Sequence, residues 1–279
     1  GLSSASVSRV VGELERHLGT RLLHRTTRSL STTEEGRVFY ERCARILDDL
    51  DDAELRMRES ADVPRGVLRV TVSPALGSLT LAPLLAGFLV RCPEVKVDLD
   101  LEPRMVDLVR EGFDVGLRMR IGAWGDSSLV ARYVTTFATR FVASPAYLER
   151  RGCPRHPTEL AQHAVILESL RPIEAPTVTF DGPDGRHVVR VDGPVRTGSS
   201  LVMRTVALAG LGIAELPDYV VRDELRSGAL VEVFPHHRMP PIELWAVYPP
   251  RSTGVARVRA FVDYVVEALG DRAVTGTAA

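Results

Sequence analysis

Between Thr33 and Pro64 the chain carries an apolar stripe that a lone helix leaves exposed. Phe39, Cys43, Ile46, Leu50, Ala53 and Met57 alternate spacings of four and three, the heptad stripe of a coiled coil. Thr32 or Thr33 can cap this helix, which runs through Glu34 and Glu35 to about Ser60 and stops before Pro64-Arg65-Gly66. Such a stripe needs a partner. It can pack on its own domain, but its place between a basic module and a Pro/Gly break favours self-dimerisation. The acidic run Asp48, Asp49, Asp51, Asp52 and Glu54 would face solvent and repel nucleic acid. The chain therefore divides into residues 1–32, a linker helix at 33–63 and a larger region at 67–279.

Ahead of the linker, Val7, Val10, Val11, Leu14 and Leu18 recur on one helical face, and Gly19 follows as a stop signal. The first turns carry Ser3, Ser4, Ser6, Ser8 and Arg9, with no acid before Glu13, although a helix start ordinarily favours carboxylates. Short hydroxyls beside an arginine suit close approach to phosphates and base edges. Arg21 to Arg25 and Ser29 to Ser31 read as two short strands around the basic turn Thr26-Thr27-Arg28, a wing. Over residues 1–28, Arg9, Arg16, Arg21, Arg25 and Arg28 meet only Glu13 and Glu15, in a chain of net charge -1. That local excess is the footprint of a phosphate-binding surface.

Three runs taken together carry a family likeness: Leu2-Ser3-Ser4-Ala5-Ser6-Val7-Ser8-Arg9, then Leu14-Glu15-x-x-Leu18-Gly19-x-Arg21-Leu22-Leu23-x-Arg25, then Thr33-Glu34-Glu35-Gly36. They resemble the signature of LysR-type transcriptional regulators, and the resemblance continues to about residue 270. It implies that the serine-rich helix is the recognition helix of a winged helix-turn-helix. Ser3, Ser4, Ser6 and Arg9 would then enter the major groove, with Arg25, Thr26, Thr27 and Arg28 on phosphates or the minor groove. It also implies a cytoplasmic dimer or tetramer bound to double-stranded DNA and to a small effector. Ser6 stands where the family more often has alanine and Val10 where a polar residue is common, so base preference does not transfer. Family members precede this point with two helices, whereas the sequence opens at Gly1-Leu2 in what would be the turn between the helices of the motif. The expectation is a partial motif that binds DNA poorly until those helices are restored.

From Gly66 strands and helices alternate, which predicts an α/β sheet with parallel strands. Two passages of chain would make two lobes, lobe I at about 67–137 and 245–270 and lobe II at about 138–244. This hinged pair resembles the effector domain of the same family and, more distantly, the periplasmic binding proteins (type 2). The expected fold class is thus α/β: a partial winged helix-turn-helix, a long linker helix and a two-lobed effector domain.

In an open α/β sheet ligands bind beyond the carboxyl ends of the strands. That rule selects Ser73-Pro74-Ala75-Leu76 in lobe I and Thr197-Gly198-Ser199-Ser200 in lobe II, two strand-to-helix turns whose amides and hydroxyls could converge on one anion, such as a small carboxylate. Each serine can equally be a plain N-cap. Effector pockets of the resembling family sit at the matching positions, which raises the pair Ser73 and Ser199. Glu102 and the run Arg118-Met119-Arg120-Ile121 would add wall, Arg118 gripping a carboxylate or making a surface ion pair.

The remaining features exclude other classes. No run approaches about eighteen uninterrupted apolar residues and no signal peptide opens the chain, so no membrane partner is expected. Cys43, Cys92 and Cys153 share no close spacing, which argues against a disulfide framework or a zinc site. There is no G-x-S-x-G, H-E-x-x-H, G-x-x-x-x-G-K or post-strand G-x-G-x-x-G, and neither an enzyme nor a cofactor is expected. His236-His237 lies near a strand end without evident partners, so solvated loop histidines are expected rather than metal ligands. The rival from another class is a cytosolic solute-binding protein whose two lobes are the whole function, a reading that leaves the Ser/Arg helix without a role.

Overall fold

A computed structural model describes residues 4–25, 30–40, 42–43, 46–47, 63–120, 128–169, 174–182, 185–237 and 239–270, with backbone alone at 4, 5, 25 and 30. The chain divides into two compact units, Gly1–Ala61 and Asp62–Ala279.

In the first unit, helix α1 (Ser4–Leu18) has no acid in its first turn and Arg16 and His17 in its last, the charge placement its dipole favours at the C-terminal end. Gly19 ends it at φ +68°, a left-handed turn that only glycine adopts without steric cost. Strands β1 (Leu23–Arg25) and β2 (Leu30–Thr32) form an antiparallel hairpin with Leu23 opposite Thr32 and Arg25 opposite Leu30. Its turn at 26–29, including Thr26, Thr27 and Arg28, lies outside the described residues, as does Ser3. Helix α2 follows at 34–40, with helical backbone again at 42–43 and 46–47. The heptad positions Leu50, Ala53 and Met57 and the acidic run from Asp48 lie outside the described residues.

The second unit is two lobes, each built on a five-stranded sheet. Lobe I contains β3 (Gly66–Val72), β4 (Val95–Leu101), β5 (Val115–Arg120), β6 (Val130–Phe137) and β14 (Ile242–Tyr248), in the order β4-β3-β5-β14-β6. Lobe II contains β7 (Thr139–Ala143), β8 (Val165–Glu168), β11 (Arg196–Thr197), β12 (Ile213–Pro217) and β13 (Val231–Glu232), in the order β11-β8-β12-β7-β13. A separate hairpin of β9 (Thr177–Gly182) and β10 (Gly185–Arg190) lies beside this second sheet in sequence. The parallel strands expected after Gly66 are found, β3 pairing parallel with β4 and β5; β14 then inserts antiparallel between β5 and β6, and β12 pairs antiparallel with β7. Returning chain brings β14 in from the opposite end, and side-chain periodicity carries no record of strand direction. Strand β6 runs to Phe137 and β7 begins at Thr139, so the first passage between lobes is a single residue, Ala138.

Hydrophobic burial sets the layers. Helix α3 (Pro74–Arg91) meets the length and composition of a membrane span, yet it buries Ala75, Leu76, Leu81, Leu84 and Phe88 in the lobe I core. There the Phe88 ring sits edge-on to Phe261 of α8 (Ala256–Gly270), with centroids 5.3 Å apart. Truncating either ring to alanine would cost about 3–5 kcal/mol. The same apolar cluster continues into lobe II through Ala214, Leu216, Tyr219 and Val220. At this seam the Tyr219 ring lies 4.7 Å from Phe137, and its hydroxyl donates to Met119 Sδ at 3.5 Å.

Asp218, one residue before Tyr219, begins α7 (Asp218–Ser227), and its amide donates to Ala138 O at the passage between lobes, 2.8 Å away. Its Oδ1 is buried without a hydrogen bond among the described residues. Burial raises its pKa above the ordinary carboxylate value, against the opposing pull of Arg222. A raised folded-state pKa means that ionisation opposes folding, so this contribution is present below the unfolded value and lost as pH rises through the folded one. Asp218→Asn should therefore flatten the fall in stability with rising pH across the acid range just above the ordinary aspartate pKa, measured by denaturant midpoints. An unchanged slope would mean that Asp218 is solvated.

Candidate nucleic-acid interface and effector site

The position of α1 against the hairpin is set by one carboxylate. Glu15 Oε1 accepts the amides of Leu22 at 2.8 Å and Leu23 at 3.0 Å, two donors at the entry to β1. Thr33 closes the other side: its hydroxyl donates to Arg21 O at 2.7 Å and accepts the Gly36 amide at 2.9 Å, so it both caps α2 and ties the exit of β2 to the entry of β1. Gly36 is required by proximity, because a Cβ there would lie 1.9 Å from Leu22 O. The run Glu15…Leu22-Leu23…Thr33…Gly36 is therefore a single clasp, with Leu22 and Thr33 buried inside it.

On α1 itself, Arg9 is exposed and Ser6 half-buried, while Ser4 is described as backbone only. Val7 and Val10 are 47% and 50% exposed, so this apolar edge is not covered within the described residues of the unit. Arg25 lies at the end of β1, and its side chain is outside the described set.

At the lobe I turn, Ser73 precedes α3 with extended backbone, φ -64° and ψ 147°, but its side chain makes no capping bond. Its Oγ is buried with no hydrogen bond among the described residues. An unsatisfied buried hydroxyl costs on the order of 1–3 kcal/mol. Pro74 has no amide hydrogen, and the Gly77 amide is the first to find an intrahelical carbonyl, Ser73 O at 2.8 Å. The amides of Ala75 and Leu76 are left at the helix start. Residues Gly77–Leu81 then widen into a π turn, a feature frequent at functional sites. Gly77 fits close to Val72 and Leu101, where a Cβ would meet Leu101 Cδ2 at 2.3 Å. Glu102 adjoins this turn, its amide donating to Val72 O at 3.0 Å and its carboxylate lying 3.5 Å from Arg104.

The lobe II turn is built differently. Ser199 Oγ accepts the Val202 amide at 3.4 Å and Thr197 Oγ1 accepts the Ser199 amide at 3.2 Å, so both hydroxyls serve the turn before α6 (Ser200–Leu208). Ser200 is half-buried at the first position of that helix.

Arg118 makes no surface ion pair among the described residues. It is only 7% exposed, and its guanidinium donates to Val106 O at 3.4 Å. It shares a strand face with Gly116, beside Leu108 and Val247. Burial lowers its pKa, with Glu111 acting the other way. Because β5 continues to Arg120, Arg118 falls under the segment leading into α4 (Leu108–Glu111) rather than beyond a strand end. Its neighbour Met119 instead faces Tyr219 at the seam. Of the paired histidines, His236 is exposed as expected, but His237 is half-buried against Phe234 and Phe180.

The clasp predicts a local defect. Glu15→Ala removes the acceptor of two amides and should destabilise the first unit by about 2–3 kcal/mol. Limited proteolysis should then cut residues 1–40 faster while the melting temperature of the second unit is unchanged. Equal protection in the variant would show that the clasp contributes nothing.

Comparison with known proteins assigns the two units. Residues 61–270 match the LysR substrate binding domain, and residues 1–37 match the bacterial regulatory helix-turn-helix protein, lysR family. An uncharacterized HTH-type transcriptional regulator of Haemophilus influenzae is 36% identical over 252 residues, covering 90% of this chain and 86% of that protein. The HTH-type transcriptional regulator DmlR of Escherichia coli is 34% identical over 265 residues, covering 95% and 85%. The solved structure of CrgA, a LysR-type transcriptional regulator from Neisseria meningitidis, has a TM-score of 0.67 at 33% identity and covers 96% of this chain and 90% of its own. The match at 1–37 removes the reading of a free-standing solute-binding protein, and the matched families are regulators rather than enzymes. The chain belongs to the LysR family of DNA-binding transcriptional regulators.

Proposed function

We propose that this regulator is switched by a small carboxylate held at the start of α3, with Ser73 Oγ and the amides of Ala75 and Leu76 as its donors. The observation that carries this reading is the Ser73 hydroxyl, buried without a hydrogen bond among the described residues at a helix start that it does not cap. A helix N-terminus favours an anion, and an oxygen acceptor at Ser73 would recover the penalty of the unsatisfied group. The lobe II turn would close over the ligand through backbone and Ser200, since Thr197 and Ser199 already serve their own helix. Glu102 beside the turn is offset by Arg104. A ligand that favours one arrangement of the lobes would shift their population around the Tyr219 seam.

In the first unit we assign recognition to Ser3, Ser4, Ser6 and Arg9 and DNA-backbone binding to Arg25, Thr26, Thr27 and Arg28, supported by the exposure of Arg9 and the acid-free first turn of α1. Dimerisation is assigned to the helix that begins at 34, where Tyr40 and Ile46 are 71% and 65% exposed. The domain boundaries 1–32, 33–63 and 67–279 follow from these roles, as does a cytoplasmic location.

The test is a thermal-shift panel of small carboxylates, sugars and amino acids. A carboxylate should raise the melting temperature of the wild type and not that of Ser73→Ala, which loses no cap and should itself be at least as stable. Ser199→Ala, by contrast, should lose about 1 kcal/mol of stability without ligand, because it removes a cap. A carboxylate shift that persists in Ser73→Ala would place the ligand elsewhere.

A further inference from the structure

Three histidines on separate elements of lobe II converge on one point. His156 lies at the entry to the 3-10 turn Pro157–Gln162, His187 in β10 and His237 after β13. One ring nitrogen from each lies within 4.8 Å of one from each of the others. The rings are not stacked face to face: His156 and His187 are 4.7 Å apart at 85°, and His156 and His237 are 6.0 Å apart at 88°. His187 and His237 are 6.2 Å apart at 64°, so no pair is stacked and one nitrogen of each ring can face a common point. We propose that these residues form a binding site for one divalent transition-metal ion of the zinc class.

Each ligand is held by its surroundings. His187 is opposite Phe180 in the β9–β10 register, and Phe180 is fully buried, so this side chain shares the inward face of the hairpin. His237 packs between Phe180 and Phe234, at ring distances of 6.4 and 6.0 Å. Its position depends on Phe234, whose φ of +63° is a left-handed conformation that bulky residues rarely adopt, and the His237 amide closes that turn on Phe234 O at 3.0 Å. The Nε2 atoms of His187 and His237 are shielded from solvent. His156 Nδ1 lies 2.8 Å from Thr158 Oγ1. The same Nδ1 accepts the Thr158 amide at 3.4 Å and so caps the 3-10 turn. Ligation through Nε2 takes the Nδ1–H tautomer, in which Nδ1 donates to Thr158 Oγ1 instead, the usual outer-sphere arrangement of a ligating histidine.

Zn–N bonds of about 2.0–2.1 Å in a tetrahedral site place the nitrogens about 3.4 Å apart, so each ring would move inward by about 1 Å or less. Three neutral imidazoles with water in the fourth position suit Zn2+, and Co2+, Ni2+ and Cu2+ would compete in the usual affinity order. The sequence spacing shows none of this, because the three residues belong to distant parts of the chain. His237 lies on the second passage between lobes, between β13 and β14, so a bound ion would pin that passage to the hairpin and the 3-10 turn.

The experiment is equilibrium dialysis of the metal-stripped full chain against Zn2+, paired with the visible spectrum of the Co2+ form. One ion per chain and the intense absorption of tetrahedral Co2+ are expected. His187→Ala, His237→Ala and His156→Asn should each weaken binding by more than about 100-fold, beyond the 10–100-fold typical of outer-sphere changes. The asparagine keeps an acceptor for the Thr158 amide, so folding is preserved. His236→Ala and His163→Ala, which leave the cluster intact, should bind as the wild type does. Wild-type protein that takes up no stoichiometric ion, or His187→Ala that binds as tightly as His236→Ala, overturns the site.

Discussion

Helix α1 has to be fixed against the hairpin beside it, and here a single carboxylate does so. Glu15 is turned toward the hairpin, where two amides of the β1 entry need an acceptor. Charge-assisted bonds of this kind are roughly twice as strong as neutral ones. The same arrangement places the acid at the rear of α1, away from Ser6, Arg9 and the acid-free first turn. Thr33 and Gly36 complete it by letting backbone approach backbone, which no larger side chain at 36 would permit.

The second unit solves a different problem. Its lobes share one apolar cluster, so they are not independent bodies joined by flexible passages. Movement between them must slide or tilt Tyr219 against Phe137 and Met119, a pairing that involves one polar atom and otherwise only van der Waals surface. Such a seam has little directional preference, so on the proposed function a few ligand hydrogen bonds at the helix starts would decide between arrangements. Binding energy is available at Ser73, where a polar group is kept buried at a cost that the ligand-free protein bears.

Much of this is legible in the residues. The helix from Ser4 to Leu18, its glycine stop, the hairpin and most strands and helices of the two lobes follow from spacing and capping residues, whereas the short strands β8, β11 and β13 carry no such pattern. The strand-end rule selects Ser73 and Ser199 but treats them alike; only the structure distinguishes a serine that caps its helix from one that does not. Glu15 belongs to the family signature, yet its role is invisible in sequence because its partners are backbone amides. That Arg118 is buried, with its guanidinium at Val106 O, is not legible from its residue type, which suggests a surface ion pair as readily as a buried group. Strand direction in β14 and the meeting of His156, His187 and His237 arise from tertiary packing between distant segments, which no local pattern encodes.

The central claim is that α1 lies against nucleic acid through its serine and arginine face. The salt dependence of operator binding by the intact regulator tests it most directly, comparing wild type with Arg9→Ala. If Arg9 neutralises a phosphate, its removal should lower the slope of log K against log salt by about 1; if it reads a base edge, removal should cost about 1–3 kcal/mol and relax sequence preference. Unchanged affinity, slope and specificity in Arg9→Ala would contradict the assignment of this face to DNA.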